Sequence, residues 1–252
     1  MAFRLFAPFG GLHSGSPEHE PTCMRYAIYY VPAGDTPLAE FGTAILGYDL
    51  ARGTPRDRLD IPGIGEAKLL RLTRRAARYG FHATLKAPFA LAAGCSRIDV
   101  LKVAAEVADR CHAVEICALE LTRLGNFFAL TPERASAELD ALAAAFVQHL
   151  DPLRAVQARD EVKWPPGKLS PRQGELLDRW GYPYVFDQFR FHMTLTDALE
   201  ADAAAEIGGA LRHVAADIIG KPLMIDAVTV VEEAGPTSPF RGIARLRLRG
   251  LR

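Results

Sequence analysis

Phe81-His82-Ala83-Thr84-Leu85 and Phe191-His192-Met193-Thr194-Leu195 decide how this chain is read. The same pentamer, Phe-His-x-Thr-Leu, stands twice, and each copy opens a matching run of elements. The first strand, 80–91, is followed by a helix over about 98–111, a strand over 113–124 and a returning strand over 127–130. The second, 189–199, is followed by a helix over 201–216, a strand over 223–233 and a return over 240–248. An internal repeat outweighs other local signals, and two copies are too few for a solenoid. The pattern therefore predicts a duplicated strand–helix–strand–strand unit.

On a strand, residues two apart point to one face. His82, Thr84 and Lys86 then share a face, as do His192, Thr194 and Thr196, while Phe81, Ala83, Leu85, Phe191, Met193 and Leu195 turn toward a core. The expected fold is α+β, duplicated and bilobal. Two antiparallel sheets face a central cleft and helices lie outside. Upstream, 25–31 reads as a strand and 37–45 as a helix with Thr36 as its cap. The stretch 48–78, with Pro55, Pro62, Gly63 and Gly65, reads as loop plus a short helix. An Ala-rich helix over 133–150 and the segment Lys163-Trp164-Pro165-Pro166-Gly167-Lys168 connect the halves. Residues 1–23, rich in Gly, Ser, Pro and His, are expected to be a disordered leader. Residues 24–252 are expected to form a single bilobal domain, with lobes over about 24–132 and 133–252.

Composition narrows the function classes. Thirty Lys and Arg balance 30 Asp and Glu, so no net field draws the molecule to long nucleic acid or an anionic membrane. No apolar run approaches the roughly 20 residues of a membrane helix. Cys23, Cys95, Cys111 and Cys117 lack the two-residue spacing of a redox or zinc motif and read as free thiols in the cytoplasm. A monomer without cofactor or metal is expected. Its substrate should carry a phosphodiester.

That expectation comes from the two triplets. Cleavage at phosphorus needs a base to take a proton from the attacking oxygen and an acid to protonate the departing one. Imidazole titrates near neutrality and serves either task. Threonine hydroxyls donate to non-bridging oxygens, and a lysine neutralises their charge. His82 and His192 are the candidate catalytic pair. Thr84, Thr194, Lys86 and Arg190 are candidate substrate contacts. Tyr79, Tyr182 and Tyr184 are candidates to stack on a base or sugar, or else to pack.

His82-Ala83-Thr84-Leu85 and His192-Met193-Thr194-Leu195 resemble the paired motifs of the 2H phosphoesterases. The wider wording is similar to the branch associated with bacterial phosphonate-utilisation operons. It runs Tyr79-Gly80-Phe81-His82-Ala83-Thr84-Leu85-Lys86-Ala87-Pro88-Phe89, then Trp180-Gly181-Tyr182-Pro183-Tyr184 and Phe189-Arg190-Phe191-His192-Met193-Thr194-Leu195-Thr196. The resemblance implies a small phosphorylated ribosyl or nucleotide substrate and metal-independent chemistry at a cyclic or 2′-linked ribose phosphodiester, with His82 and His192 catalytic and Thr84 and Thr194 binding phosphate. Two other readings use the same residues. A metal-dependent hydrolase would take both histidines as ligands and a third from Asp160 or Glu161. A non-catalytic module would bind nucleotides or RNA ends.

Overall fold

The computed structural model describes residues 24–156 and 169–250. The leader over 1–23, the connecting Lys163–Lys168 segment, Cys23, Asp160 and Glu161 lie outside the described residues. Strand β1 (Arg25–Tyr30) leads to helix α1 (Pro37–Leu46), the short hairpin β2 (Tyr48–Asp49) and β3 (Thr54–Pro55), and helix α2 (Glu66–Tyr79). The first histidine strand, β4 (Ala83–Ala90), precedes α3 (Arg97–Ala108), β5 (Val114–Ile116), β6 (Leu119–Leu124) and β7 (Phe127–Pro132). Helices α4 (Ala137–Leu150) and α5 (Pro171–Trp180) lie between the halves. Then come β8 (Met193–Thr194), α6 (Ala201–Val214), β9 (Leu223–Ile225), β10 (Ala227–Glu233) and β11 (Arg241–Arg247).

The helix starts follow capping chemistry. The Thr36 hydroxyl accepts from Ala39 N–H, and Ser96 with Asp99 forms a reciprocal capping box that opens α3. Helix α5, which the sequence reading missed, begins with a second such box, Ser170 with Gln173, and has proline at its first position. The stretch 48–78 is more regular than expected. Its prolines and glycines shape the β2–β3 hairpin and the approach to α2, and the basic run 71–78 belongs to a helix of 14 residues.

The fold is α+β; two halves join in one seven-stranded antiparallel sheet in the order β11-β10-β1-β4-β8-β7-β6, and β2–β3 and β5–β9 pair as separate two-stranded sheets. The halves do not follow chain order. Strands β6 and β7 extend the sheet beyond β8, while β10 and then β11 extend it beyond β1. They join where Ala83 of β4 pairs with Met193 of β8. Tyr30, Ala83, Met193 and Leu130 form a continuous row across the join, none more than 3% exposed. That row faces the main core, to which α3, α4 and α6 contribute Val100, Phe146 and Ile207. Among the described residues no helix is long and apolar enough to cross a membrane. Cys95, Cys111 and Cys117 carry free thiols.

Helix α1 rests on the residue before the first histidine. A Cβ built on Gly42 would overlap the ring of Phe81, which is 1% exposed. Gly42→Ala should therefore overpack this contact and cost about 1–3 kcal/mol in chemical denaturation. An unchanged midpoint would show that α1 moves freely over Phe81.

Candidate active site

The single pairing between β4 and β8 builds the site. Extending the antiparallel register by one residue either way sets His82 beside Thr194 and Thr84 beside His192. Because Ala83 and Met193 point into the core, these four side chains turn to the opposite face. There they line one cleft of about 550 Å³. The neighbouring strands close the floor. Tyr29 lies opposite Thr84 on β1, and Ala129 lies opposite Thr194 on β7.

Both imidazoles are fixed in the same way. His82 donates its Nδ1 proton to the Gly80 carbonyl at 2.9 Å, and His192 donates its Nδ1 proton to the Arg190 carbonyl at 2.8 Å. A carbonyl can only accept, so each Nδ1 carries the hydrogen and each Nε2 is left as the basic atom. The His82 Nε2 accepts from the Thr84 hydroxyl at 3.1 Å. Gly80 supplies its carbonyl from a backbone at φ 69°, where a side chain would also meet Leu50.

The surroundings of the two rings differ. Tyr29, 1% exposed, stacks on His82 with centroids 3.7 Å apart and planes 22° apart. Burial there pushes the His82 pKa down to about 4, opposed by the Gly80 carbonyl and assisted by the positive form of His192. Phe127 meets His192 at 5.9 Å and a tilted 53°. Burial also lowers His192, against the pull of the Arg190 carbonyl. Both rings favour the neutral form before substrate binds.

Three expected contacts lie elsewhere. Lys86 does not share the face of His82. Between Tyr29↔Thr84 and Ile28↔Lys86 the ladder advances one residue on β1 and two on β4. This bulge at Leu85 reverses the alternation. Ala87 and Pro88 take the cleft side, and Lys86 is buried at 3% exposure. Its ammonium lies 3.4 Å from the Val147 carbonyl of α4 and 5.1 Å from the Phe89 ring. Burial brings its pKa down to about 8, with Asp151 opposing the fall. Arg190 is exposed and its side chain is not part of the cleft lining; its backbone carbonyl orients His192 instead. Tyr184, 37% exposed, stands edge-on to Tyr182 at 5.7 Å, and it is Tyr182 that lines the cleft. Thr196 has its hydroxyl committed to Phe128 N–H at 3.0 Å.

Sequence reasoning also missed several lining residues: Arg25, Tyr29, Arg75, Phe127 and Asp197. The Asp197 carboxylate accepts from the Arg75 and Ala76 N–H groups at 2.8 and 2.7 Å, and Asp197 N–H donates to the Leu72 carbonyl at 2.7 Å. The loop after β8 is thus bonded into α2 and fixes that helix as a cleft wall. Asp197 two residues beyond Leu195 was a visible signal; its distant partner was not.

Comparison with known proteins supplies the family. The model described as "Protein of unknown function (DUF1045)" matches residues 84–241, from Thr84 through the whole second triplet. A protein of Janthinobacterium sp. (strain Marseille) named ribose 1,5-bisphosphate phosphokinase PhnN is 41% identical over 221 residues, covering 86% of this chain and 49% of that protein. One of the same name from Laribacter hongkongensis (strain HLHK9) is 37% identical over 196 residues, covering 75% and 45%. The chain spans about half the length of the curated relatives it matches. Among solved structures, E. coli LigT complexed with 3′-AMP aligns with a TM-score of 0.44 and 14% identity, over 89% of this chain and 98% of that one. The protein TT0787 of Thermus thermophilus aligns at 0.44 and 13%, over 90% of this chain and all of that one. With more than half of its length matched by the family model, the chain belongs to the DUF1045 family.

Proposed function

We propose that this protein is a 2H-type phosphoesterase that cleaves a cyclic or 2′-linked ribose phosphodiester without a metal ion. One observation carries the reading. The Ala83–Met193 pair brings two His-x-Thr triplets side by side on one cleft floor, each imidazole with its Nδ1 hydrogen already committed. A phosphodiester seated over this quartet has a proton acceptor and a proton donor from opposite strands, the Thr194 hydroxyl for one non-bridging oxygen, and the Thr84 hydroxyl for another once it turns from His82 Nε2. His82, stacked under Tyr29 and accepting from Thr84, favours the neutral state and suits the base. His192, on the Phe127 side, retains its proton to higher pH and suits the acid that protonates the leaving oxygen. The relatives named for a ribose bisphosphate kinase support a small ribosyl substrate and a role in phosphonate metabolism, because opening a cyclic ribose phosphate yields a ribose phosphate monoester.

Replacing His82 or His192 by alanine should lower turnover by roughly 10²–10⁴-fold, the usual worth of a positioned acid or base. The double variant should fall far short of the product of the two losses. A 4-nitrophenyl leaving group, which needs no proton, should largely rescue His192→Ala and leave His82→Ala impaired. Equal rescue of both would reverse or remove the assignment. Turnover should persist in EDTA, and loss restored by zinc or manganese would transfer the histidines to a metal.

The pH profile follows from the same groups. Both histidines titrate below 6.5 in the free protein, His82 at about 4. The form with His192 protonated and His82 neutral is therefore most populated below pH 6.5. The kcat/KM profile, which reports the free protein, should peak there and decline toward neutrality. A bound phosphate anion stabilises the imidazolium, so the kcat profile should peak at higher pH. Coincident profiles would exclude this charge distribution.

A further inference from the structure

The His82 end of the cleft holds more binding groups than a phosphodiester over the quartet can use. Tyr29 is 1% exposed, lines the cleft, and makes no hydrogen bond to any described residue. Its hydroxyl lies in the field of Tyr79, Tyr182, Arg25 and Glu233. As a donor on a residue that lines the cleft, this hydroxyl can serve an acceptor bound there. Cations collect at the same end. Arg25 bonds Glu233 at 2.7 Å, and Arg78 bonds the other oxygen of that carboxylate, so two guanidiniums share one counter-charge that is fully buried. Arg75 of α2 is exposed along the same wall and forms no ion pair among the described residues. Asp197, the neighbouring carboxylate, is occupied by two backbone N–H groups. Three guanidiniums therefore face two committed carboxylates.

We propose that this end is a second anion subsite, built from Tyr29, Tyr79, Tyr182, Arg25 and Arg75, which seats a phosphate monoester carried by the substrate apart from the diester being cleaved. The assignment rests on the phosphodiesterase reading for what happens at the quartet. The subsite itself rests on the donors. Burial raises the Tyr29 phenol well above its ordinary range and Tyr182 to about 12, so both keep their hydrogens and donate. Guanidinium and hydroxyl donors with no unoccupied carboxylate recognise a dianion. The proton transfers belong to His82 and His192 and to none of these five side chains, so the subsite binds and does not react. A cleft of about 550 Å³ holds a pentose with two phosphate groups. The preferred substrate is then a doubly phosphorylated small sugar diester. An internal RNA linkage, or a cyclic nucleotide lacking a second phosphate, leaves the Tyr29 hydroxyl and the excess cation unsatisfied.

Ribose 5-phosphate tests the subsite without turnover. Calorimetry should detect its binding to the full chain, with ribose itself not binding. Tyr29→Phe keeps the ring on His82 and removes the hydroxyl; Arg75→Ala removes an exposed cation. Each should weaken ribose 5-phosphate by about tenfold or more, the worth of a charge-assisted hydrogen bond. In turnover, cytidine 2′,3′-cyclic phosphate bearing a 5′-phosphate should exceed the same compound without it by about tenfold in kcat/KM. Arg75→Ala should collapse that ratio toward one. Equal ribose 5-phosphate binding by all three proteins overturns the subsite, as does cytidine binding as tightly as ribose 5-phosphate, which would mark a base-stacking platform. If neither cyclic compound turns over while both variants lose ribose 5-phosphate, the subsite stands and the phosphodiesterase reading falls.

Discussion

The register between two short strands governs the rest of the molecule. Strand side chains alternate with a period of two, so a slip of β8 by one residue against β4 would turn His192 and Thr194 into the core and expose Met193. The register is held from the core side. Tyr30, Ala83, Met193 and Leu130 are buried in one row, and Leu195 N–H and Thr196 Oγ1 both engage the backbone of Phe128. Strand β8 has only two residues in the ladder. Its position is set less by its own pairing than by these neighbours and by the Asp197 bonds to α2.

Much of this was legible before any coordinates. The repeated pentamer announced the duplicated element order, and the alternation of apolar and polar residues placed both triplets on one face. Lys86 shows where that logic stops. Parity extrapolates only while the ladder is regular, and the bulge at Leu85 depends on the partner strand β1, which local sequence does not specify. Arg190 contributes through its carbonyl, a group that every residue carries and that no motif can flag. The short β8 marks a similar limit, since 189–199 reads as one strand yet mostly runs as irregular backbone anchored by side chains.

The missed cleft residues share one cause. Arg25 and Glu233 meet across most of the chain, and Arg75 and Asp197 across nearly half of it, and each looks like an ordinary surface charge in its own segment. Tyr29 sits in an apolar strand, Tyr26-Ala27-Ile28-Tyr29-Tyr30, where an aromatic reads as core. Only its pairing opposite Thr84 turns it toward His82. Local periodicity can choose a face; which distant face it meets is decided by topology.

Duplication and division of labour pull against each other in this site. Two copies of one motif give two imidazoles with the same tautomer, held by the same carbonyl two residues back, so the motif alone offers two equivalent groups. Acid–base chemistry needs them unequal. The difference comes from residues outside the repeat: a stacked, buried tyrosine beside His82 and a tilted phenylalanine beside His192. Burial is the larger influence on both rings and is deeper at His82, where the ring is stacked rather than met at an angle. The sheet supplies position symmetrically, and strands β1 and β7 on either side break the symmetry. Changes in the flanking strands can therefore alter the two ends of the cleft while the two histidine strands stay as they are.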